Sequence, residues 1–129
     1  MKIKAKIQSL IIAILVVVTS NLFAQRQMEK LDRGIIAMRQ GADSVYVGWR
    51  LLGTEPDEIS FNLYRKTGDK EAIKLNKQPI TESTNFVDVK VDFSHANSYF
   101  VKAVLHGKEE AASKPFVLPA NTIAKQYLE

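Results

Sequence analysis

Alternation of apolar and polar residues with a period of two constrains the fold of this chain more than any other feature. It is clearest in the segment Ser44–Leu51. Successive side chains of an extended strand point to opposite sides of a sheet, so this pattern predicts a strand with one buried face. The residues predicted to face the core are Val45, Val47, Trp49 and Leu51, and those predicted to face outward are Ser44, Tyr46, Gly48 and Arg50.

Two further segments repeat the pattern. Ile59–Arg65 predicts a strand with inward Ile59, Phe61 and Leu63 and outward Ser60, Asn62 and Tyr64. Ser98–Leu105 predicts a strand with Tyr99, Val101, Ala103 and Leu105 toward the core. The second face of that strand is partly apolar, as in a central strand, because it carries Phe100 and Val104.

Turn residues separate these runs and bound four shorter predicted strands. The turns are Gly53–Asp57, Thr67–Asp69, Asn76–Pro79 and a tight hairpin at His106-Gly107. The shorter strands are expected at Gly34–Met38, Ile73–Leu75, Thr84–Val87 and Ala112–Leu118. Several short strands with turns between them, and no helical stripe, predict an all-β antiparallel β-sandwich of about seven strands.

The order of the strand motifs resembles a fibronectin type III domain. The motifs are Val47-x-Trp49, Phe61-x-Leu63-Tyr64-Arg65, Thr84-x-Phe86-x-Asp88 and Tyr99-x-Val101-x-Ala103. The resemblance implies that Trp49 fills the space between two sheets. It also implies that Tyr99, the tyrosine of the sixth strand, hydrogen-bonds to nearby backbone.

The first 24 residues have the order of a secretory signal peptide. Lys2, Lys4 and Lys6 precede the apolar run Leu10–Val18, and a polar stretch leads to a cleavage site predicted after Ala24. The apolar run is well short of the ~20 residues that span a bilayer, which favours cleavage over an uncleaved membrane anchor. The sequence thus predicts a sandwich at residues 25–118 and the start of a linker at 119–129, in a secreted or periplasmic protein.

Charge and cysteine content limit the classes of function. The chain has 18 Lys and Arg against 14 Asp and Glu, and removing the three signal-segment lysines leaves a net charge of only +1. No cluster of basic residues lies on one predicted element, so nucleic-acid binding has little support. The chain has no cysteine. An exported domain of this sequence must therefore be stabilised by its apolar core rather than by disulfides.

Few residues form a constellation suited to catalysis or metal binding. His95 and His106, the two histidines, lack metal-ligand spacing to carboxylates on one element, and no nucleophile elbow or phosphate loop is present. Asp88 and Asp92 would share a face in an extended strand and offer calcium ligands, but Lys90 lies between them, which favours a solvated face. The Glu55–Glu58 loop is likewise expected to be solvated, and Glu109-Glu110 is expected to continue a hairpin without a special role. No catalytic, cofactor-binding or metal-binding residue is predicted.

Two outward aromatic residues, Tyr46 and Tyr64, are candidates for contact with another molecule. Both point away from the predicted core, and on neighbouring strands they would lie together. Pyranose rings stack on flat aromatic faces, so the pair can be read as a sugar platform. The alternative, which is favoured, is that the two tyrosines contact a partner domain or pack against long Lys and Arg side chains.

Three motifs of the mature chain resemble the opening of rhamnogalacturonan lyases of polysaccharide lyase family eleven. They are Met28–Gly34, Val47–Thr54 and Phe61–Arg65, and the similarity extends from about Gln27 to Glu129. In that family a small β-sandwich precedes a large β-propeller, which holds the calcium and the catalytic groups. The family cleaves the rhamnogalacturonan I backbone of pectin by β-elimination.

The resemblance implies a non-catalytic front domain whose partner is the propeller of the same protein, with pectic polysaccharide as a further partner. No position of this sequence matches the family's catalytic or calcium-binding groups, so the chain alone is expected to be inactive and truncated before the propeller. The alternative is a free-standing secreted module of fibronectin type III type that binds carbohydrate or acts as a spacer. No nucleic-acid partner is expected, and no membrane contact is expected after signal cleavage.

Overall fold

The computed structural model describes residues 3, 4, 6 and 31–124. Ile3, Lys4 and Lys6 are helical; the remainder of the predicted signal segment, with its cleavage site, lies outside the described residues. The predicted linker is described only as far as Ala124. Within the described part of the chain, no helix is long and apolar enough to cross a membrane.

Residues 31–124 form eight strands, all paired antiparallel, in two sheets. The strands are β1 (Ile36–Arg39), β2 (Val45–Gly48), β3 (Ser60–Thr67), β4 (Ile73–Lys74), β5 (Asn85–Asp88), β6 (Asn97–Leu105), β7 (Lys108–Ala112) and β8 (Phe116–Leu118). One sheet has the order β1-β2-β5; the other has the order β4-β3-β6-β7, with β8 also paired to β6. The prediction of an antiparallel sandwich is confirmed.

The core lies between the two sheets and is built by the predicted alternation. On β2, Val45 and Val47 are fully buried, while Tyr46 between them is partly exposed. On β3 and β6, Phe61, Leu63, Tyr99 and Val101 are at most 2% exposed, which confirms their inward direction. β6 has paired strands on both sides, so it is a central strand. This agrees with the prediction made from its partly apolar second face.

Trp49 packs between the sheets, as predicted. It is 6% exposed, and its ring meets that of Phe61 edge to face, with centroids 5.6 Å apart and planes at 65°. This is one of the geometries that aromatic rings prefer. The backbone N–H of Trp49 donates to the carbonyl of Thr84 at 2.9 Å, which fixes the position of the tryptophan just after β2 ends.

Ser60 and Asn62 lie on the outer side of β3, as predicted, although both are buried. Two expectations about the strands are wrong. Leu51 is 59% exposed, because β2 ends at Gly48 and the alternation does not continue past Trp49. The predicted strand Ala112–Leu118 is split between β7 and β8, which raises the strand count to eight. Pro115, which lacks an N–H group for a strand ladder, lies between the two.

The hairpin between β6 and β7 has the predicted turn. His106 and Gly107 both have positive φ, 50° and 75°. Two successive residues in this region make the tight turn that matches the twist of paired strands. His106 is exposed and serves as a turn residue.

The segment that follows β8 is tied to the sandwich. The N–H of Asn121 donates to the carbonyl of Phe93 at 2.7 Å, and Nη1 of Arg39 donates to the carbonyl of Thr122 at 2.6 Å. The guanidinium of Arg39 lies 4.0 Å from the centroid of the Phe93 ring. The path of the chain is therefore fixed for at least four residues beyond Leu118.

Replacing Trp49 with alanine is expected to lower the free energy of unfolding by about 3–5 kcal/mol, since it leaves a large cavity between the sheets. Leu51→Ala is the control, because Leu51 is exposed and its loss is expected to cost less than about 0.5 kcal/mol. Urea denaturation followed by circular dichroism measures both. Equal midpoints for the two variants would contradict the core position of Trp49.

Candidate interaction site

The structure places Tyr46 and Tyr64 in different sheets. Tyr46 is on β2 of the three-stranded sheet, and Tyr64 is on β3 of the five-stranded sheet. Each alternates with core residues, so the two side chains lie on the outer faces of opposite layers. The expectation that they occupy neighbouring strands is wrong, and they do not form one platform. Whether either contacts a sugar or a domain stays a prediction.

The ring of Tyr64 is covered by its neighbours. It stacks on Phe100, its cross-strand partner, with centroids 5.2 Å apart and planes at 2°. Nζ of Lys102 lies 5.1 Å from the Tyr64 centroid, in cation–π range. The hydroxyl of Tyr64 donates a short hydrogen bond to Glu109 of β7. Both the ring and the hydroxyl of Tyr64 are therefore engaged within the domain.

Glu109 is the centre of this cluster, contrary to the expectation that it has no special role. Its carboxylate accepts hydrogen bonds from Tyr64, from Nδ2 of Asn62 at 2.7 Å and from Nζ of Lys102 at 3.3 Å. The bonds from Tyr64 and Asn62 are the main causes that lower the pKa of Glu109. Burial, then the bond to Glu109, raises the pKa of Tyr64 to about 12. These contacts attach β7 to β3 across β6.

Asn76, in the turn after β4, contacts the outward residue Asn62 of β3 and contributes to its burial. Its Oδ1 accepts the N–H of Leu63 at 2.8 Å, and its Nδ2 donates to Oδ1 of Asn62 at 2.8 Å and to the carbonyl of Gln78 at 2.9 Å. The side chain of Asn76 thus takes the place of a strand partner where β4 is short. The sequence predicts the turn that begins at Asn76, but it does not predict the contact between the Asn76 side chain and β3.

Tyr46 has different surroundings. Its cross-strand partners are Met38 and Val87, and Ile36 lies on the same side of the sheet opposite Gly48. Ile36 and Val87 are each 46% exposed. A Cβ added to Gly48 would lie 3.4 Å from the Tyr46 ring and 3.7 Å from Ile36, so both side chains lie close to the backbone of β2 at this point. We call Ile36, Met38, Tyr46 and Val87 the Tyr46 face.

Asp88 forms a charge pair that joins the two sheets. Its Oδ2 accepts Nη1 of Arg65 at 2.6 Å and the hydroxyl of Tyr99 at 2.9 Å. The Asp88 side chain is 4% exposed and that of Arg65 is 12% exposed. Burial, followed by the Asp88 carboxylate, raises the pKa of Tyr99 well above its usual range. The expected solvated position of Asp88 is wrong, and Tyr99 bonds to a carboxylate rather than to nearby backbone.

Asp88 and Asp92 do not share a face. Lys90 between them has a φ of 60°, which interrupts the extended backbone that the calcium alternative required. Asp92 is exposed and accepts the hydroxyl and the N–H of Ser94 at 2.5 and 2.9 Å. These two bonds, with His95 contributing, lower the pKa of Asp92 to about 2. Nδ1 of His95 lies 3.0 Å from Oδ2 of Asp92, so His95 takes part in a local turn network.

Glu55 is partly buried rather than solvated. It forms a two-pronged ion pair with Arg33, and one of its oxygens accepts the N–H of Leu52 at 2.8 Å. Burial opposes ionisation of Glu55, but the hydrogen bonds from Arg33 and Leu52 outweigh it and lower the pKa of Glu55.

Across residues 31–124 and the three described residues near the start of the chain, no group of three His, Cys, Asp or Glu is placed to hold a metal ion.

Solved structures place this architecture among fibronectin type III domains. The chain is similar to a Fn3-like protein from Clostridium thermocellum, with 23% identity and a TM-score of 0.53, over 71% of this chain and 93% of that one. It is also similar to the fibronectin type III domain of the human KIAA0970 protein, with 13% identity and a TM-score of 0.56, over 74% and 76% of the two chains. At these identities the likeness concerns the fold alone.

Sequence comparison defines the family. The profile described as the rhamnogalacturonan I lyases β-sheet domain matches residues 26–118, so this chain belongs to that family. Over 91 residues it is 41% identical to the rhamnogalacturonan endolyase YesW and 44% identical to the rhamnogalacturonan exolyase YesX, both of Bacillus subtilis strain 168. Those segments are 70% of this chain but 13% of either relative. The chain is therefore a lyase-associated domain that spans about an eighth of its curated relatives.

Replacing Asp88 with asparagine is expected to lower the free energy of unfolding by roughly 3–5 kcal/mol, because the buried Arg65 guanidinium loses its counter-charge. Asp92→Asn is the matched control: it removes an exposed carboxylate that pairs with an exposed histidine. Chemical denaturation at neutral pH measures both variants. If the two variants unfold at the same denaturant concentration, Asp88 does not link the sheets as described.

Tyr64 is expected to ionise near pH 12 in the folded domain, against ~10 for an unfolded tyrosine. Because folding favours the neutral phenol, this contribution to stability is complete below pH ~10 and is lost as the pH rises toward the folded value. Ring-carbon NMR titration measures the pKa, with Tyr64→Phe identifying the resonance. Glu109→Gln should lower the Tyr64 pKa only part of the way, since burial is the larger cause. An unchanged pKa in that variant would rule out the role of Glu109.

Proposed function

We propose that this chain is the non-catalytic sandwich domain of a secreted rhamnogalacturonan lyase. The observation that carries the proposal is the family match over residues 26–118, which spans nearly the whole sandwich. The relatives' names assign them opposite modes of attack, endolyase and exolyase, although each contains a segment similar to this domain. A domain common to both modes is better suited to supporting the catalytic part than to choosing the bond that is cleaved.

The domain acts by packing against the catalytic part of the same protein. The family resemblance assigns the chemistry, β-elimination along the rhamnogalacturonan I backbone, to a β-propeller, together with its calcium. The three carboxylates with buried or partly buried partners, Asp88, Glu55 and Glu109, agree with this division of labour, since each is occupied by internal hydrogen bonds. Such groups stabilise the sandwich and are not available to take a proton from galacturonate.

The proposal includes export of the protein through a cleaved signal peptide. Residues 1–24 have the composition of a signal peptide, and cleavage after Ala24 would leave Gln25 at the start of the mature protein. Sequencing the N-terminus of the exported protein reports the cleavage site. The absence of cysteine means that the domain would fold in an oxidising compartment without disulfide exchange.

A chimera tests the proposed function. The 91-residue segment of the Bacillus subtilis endolyase would be replaced by the matching segment of this chain, and unsaturated products from rhamnogalacturonan I would be followed by ultraviolet absorbance. The chimera is expected to be active, and the sandwich alone is expected to release no product. The endolyase with the segment deleted is the control and should lose activity or stability. A folded but inactive chimera, or product released by the sandwich alone, would contradict the proposal.

A second function, a free-standing carbohydrate-binding module, has weaker support from the geometry. Tyr64 has Phe100 stacked on its ring and Lys102 in cation–π contact with it, so it offers no open aromatic face for a pyranose. Tyr46 lies on the opposite layer among aliphatic side chains, and a sugar there would find few hydrogen-bonding groups. The surroundings of the two tyrosines therefore favour a role in supporting another domain over a role in binding carbohydrate.

A further inference from the structure

The outer faces of the two sheets differ in charge. On the three-stranded sheet, the outward strand residues are uncharged: Ile36, Met38, Tyr46, Gly48, Asn85 and Val87. On the five-stranded sheet, the outward residues include Lys66, Lys74, Lys102 and Glu109. An uncharged face with half-exposed aliphatic side chains is typical of a protein interface, because it can be removed from water without leaving a charge unpaired.

The Tyr46 face continues around β1 into an apolar groove. Met38 belongs to both surfaces, and the groove, of about 270 Å3, runs between β1 and β8. Its walls include Ala37, Phe116 and Leu118. We call it the exit groove, because Thr122 and Ile123, which follow the sandwich, also line it. Ile123 is 77% exposed, so the groove has an apolar rim on the side where the chain leaves.

Arg39 directs the chain along this groove. Besides holding the carbonyl of Thr122, its guanidinium donates to the carbonyls of Gly41 and Ala42 at 2.9 and 3.0 Å. Thr122 adds a bond of its own from Oγ1 to the carbonyl of Pro119 at 2.6 Å. A guanidinium with three carbonyl partners cannot reorient freely, so the described residues as far as Thr122 keep one path beside the groove. A domain attached after the sandwich would therefore be tethered near the groove, which adjoins the Tyr46 face at Met38.

We propose that the Tyr46 face and the exit groove together form the surface on which the catalytic part of the lyase docks. This inference rests on the proposed function, because it takes the catalytic part as the occupant. Attachment a few residues away gives that occupant a high effective concentration, so a modest apolar surface is enough to hold it. Interfaces between domains of one chain commonly bury only ~600–1,500 Å2, so a docking surface of this kind does not need to be large.

The opposite layer is less suited to this role. The polar groups at its centre already have partners within the domain. Tyr64 is stacked and hydrogen-bonded, and Glu109 accepts three hydrogen bonds. Docking a domain there would require removing Lys102 and Glu109 from water, at a cost in desolvation that the Tyr46 face does not carry.

Hydrogen exchange on the same chimera tests the inference. Amide exchange of β1 and β8 would be compared between the chimera and the separately expressed sandwich, with β4 as the internal reference. Exchange at Ile36–Arg39 and Phe116–Leu118 is expected to slow in the chimera, and exchange at Ile73–Lys74 is expected to stay the same. Slowing confined to β3 and β4, or no difference in any strand, would overturn the inference.

Two matched variants locate the surface. Ile36 and Ile73 are isoleucines on edge strands, 46% and 49% exposed, but Ile36 lies on the Tyr46 face and Ile73 lies on the other sheet. In the chimera, Ile36→Glu should abolish most of the slowing, whereas Ile73→Glu should leave it intact. In the separate sandwich, both should melt close to the parent temperature. Equal effects of the two variants in the chimera would refute the assignment.

The outcomes separate this inference from the proposed function. A folded chimera without lyase activity counts against the proposed function, while its exchange pattern still reports whether the Tyr46 face is covered. An active chimera with no slowing in β1 leaves the proposed function in place and overturns the docking surface. Slowing of β1 in the separate sandwich as its concentration rises would mean that a second copy occupies the face, and this too overturns the inference.

Discussion

The carboxylate of Asp88 is the contact on which the arrangement of the two layers depends. It lies on β5 of one sheet and accepts hydrogen bonds from Arg65 on β3 and Tyr99 on β6 of the other. A buried ion pair depends on the distance and direction between its partners, so sliding of one sheet against the other would weaken it and leave a buried charge unpaired. Asp88 therefore restricts how one layer can move against the other, and Trp49 packs on Phe61 in the same space between the sheets.

The arrangement of the two sheets determines which side chains the domain presents on its outer faces. With the sheets fixed, one outer face carries a network of charged and polar groups around Glu109, and the other carries aliphatic groups around Tyr46. The two tyrosines look alike in sequence, since each alternates with core residues. Their difference arises from the strands beside them: Phe100 and Glu109 engage Tyr64, while Met38 and Val87 flank Tyr46.

The period-two pattern was enough to predict the sandwich and most of the core, because alternation is a local property of an extended chain. It failed for Leu51, which lies beyond the end of β2, where the alternation no longer holds and the side chain is exposed. The polar contacts were not predictable in the same way. Glu55 with Arg33, Glu109 with Asn62, and Asp88 with Arg65 are 22, 47 and 23 residues apart, and no local pattern records such pairings. In the sequence alone, each of these three carboxylates resembles an ordinary solvent-exposed residue.

The strand at one edge of the larger sheet has a consequence for how the domain meets other proteins. All five residues of β7 are exposed, three of them are charged (Lys108, Glu109 and Glu110), and the register shifts where β7 pairs with β6. Charges and irregular pairing on an edge strand discourage another chain from adding to the sheet. Even where β7 separates from its neighbour, it would therefore expose a strand poorly suited to pairing with a strand of another protein.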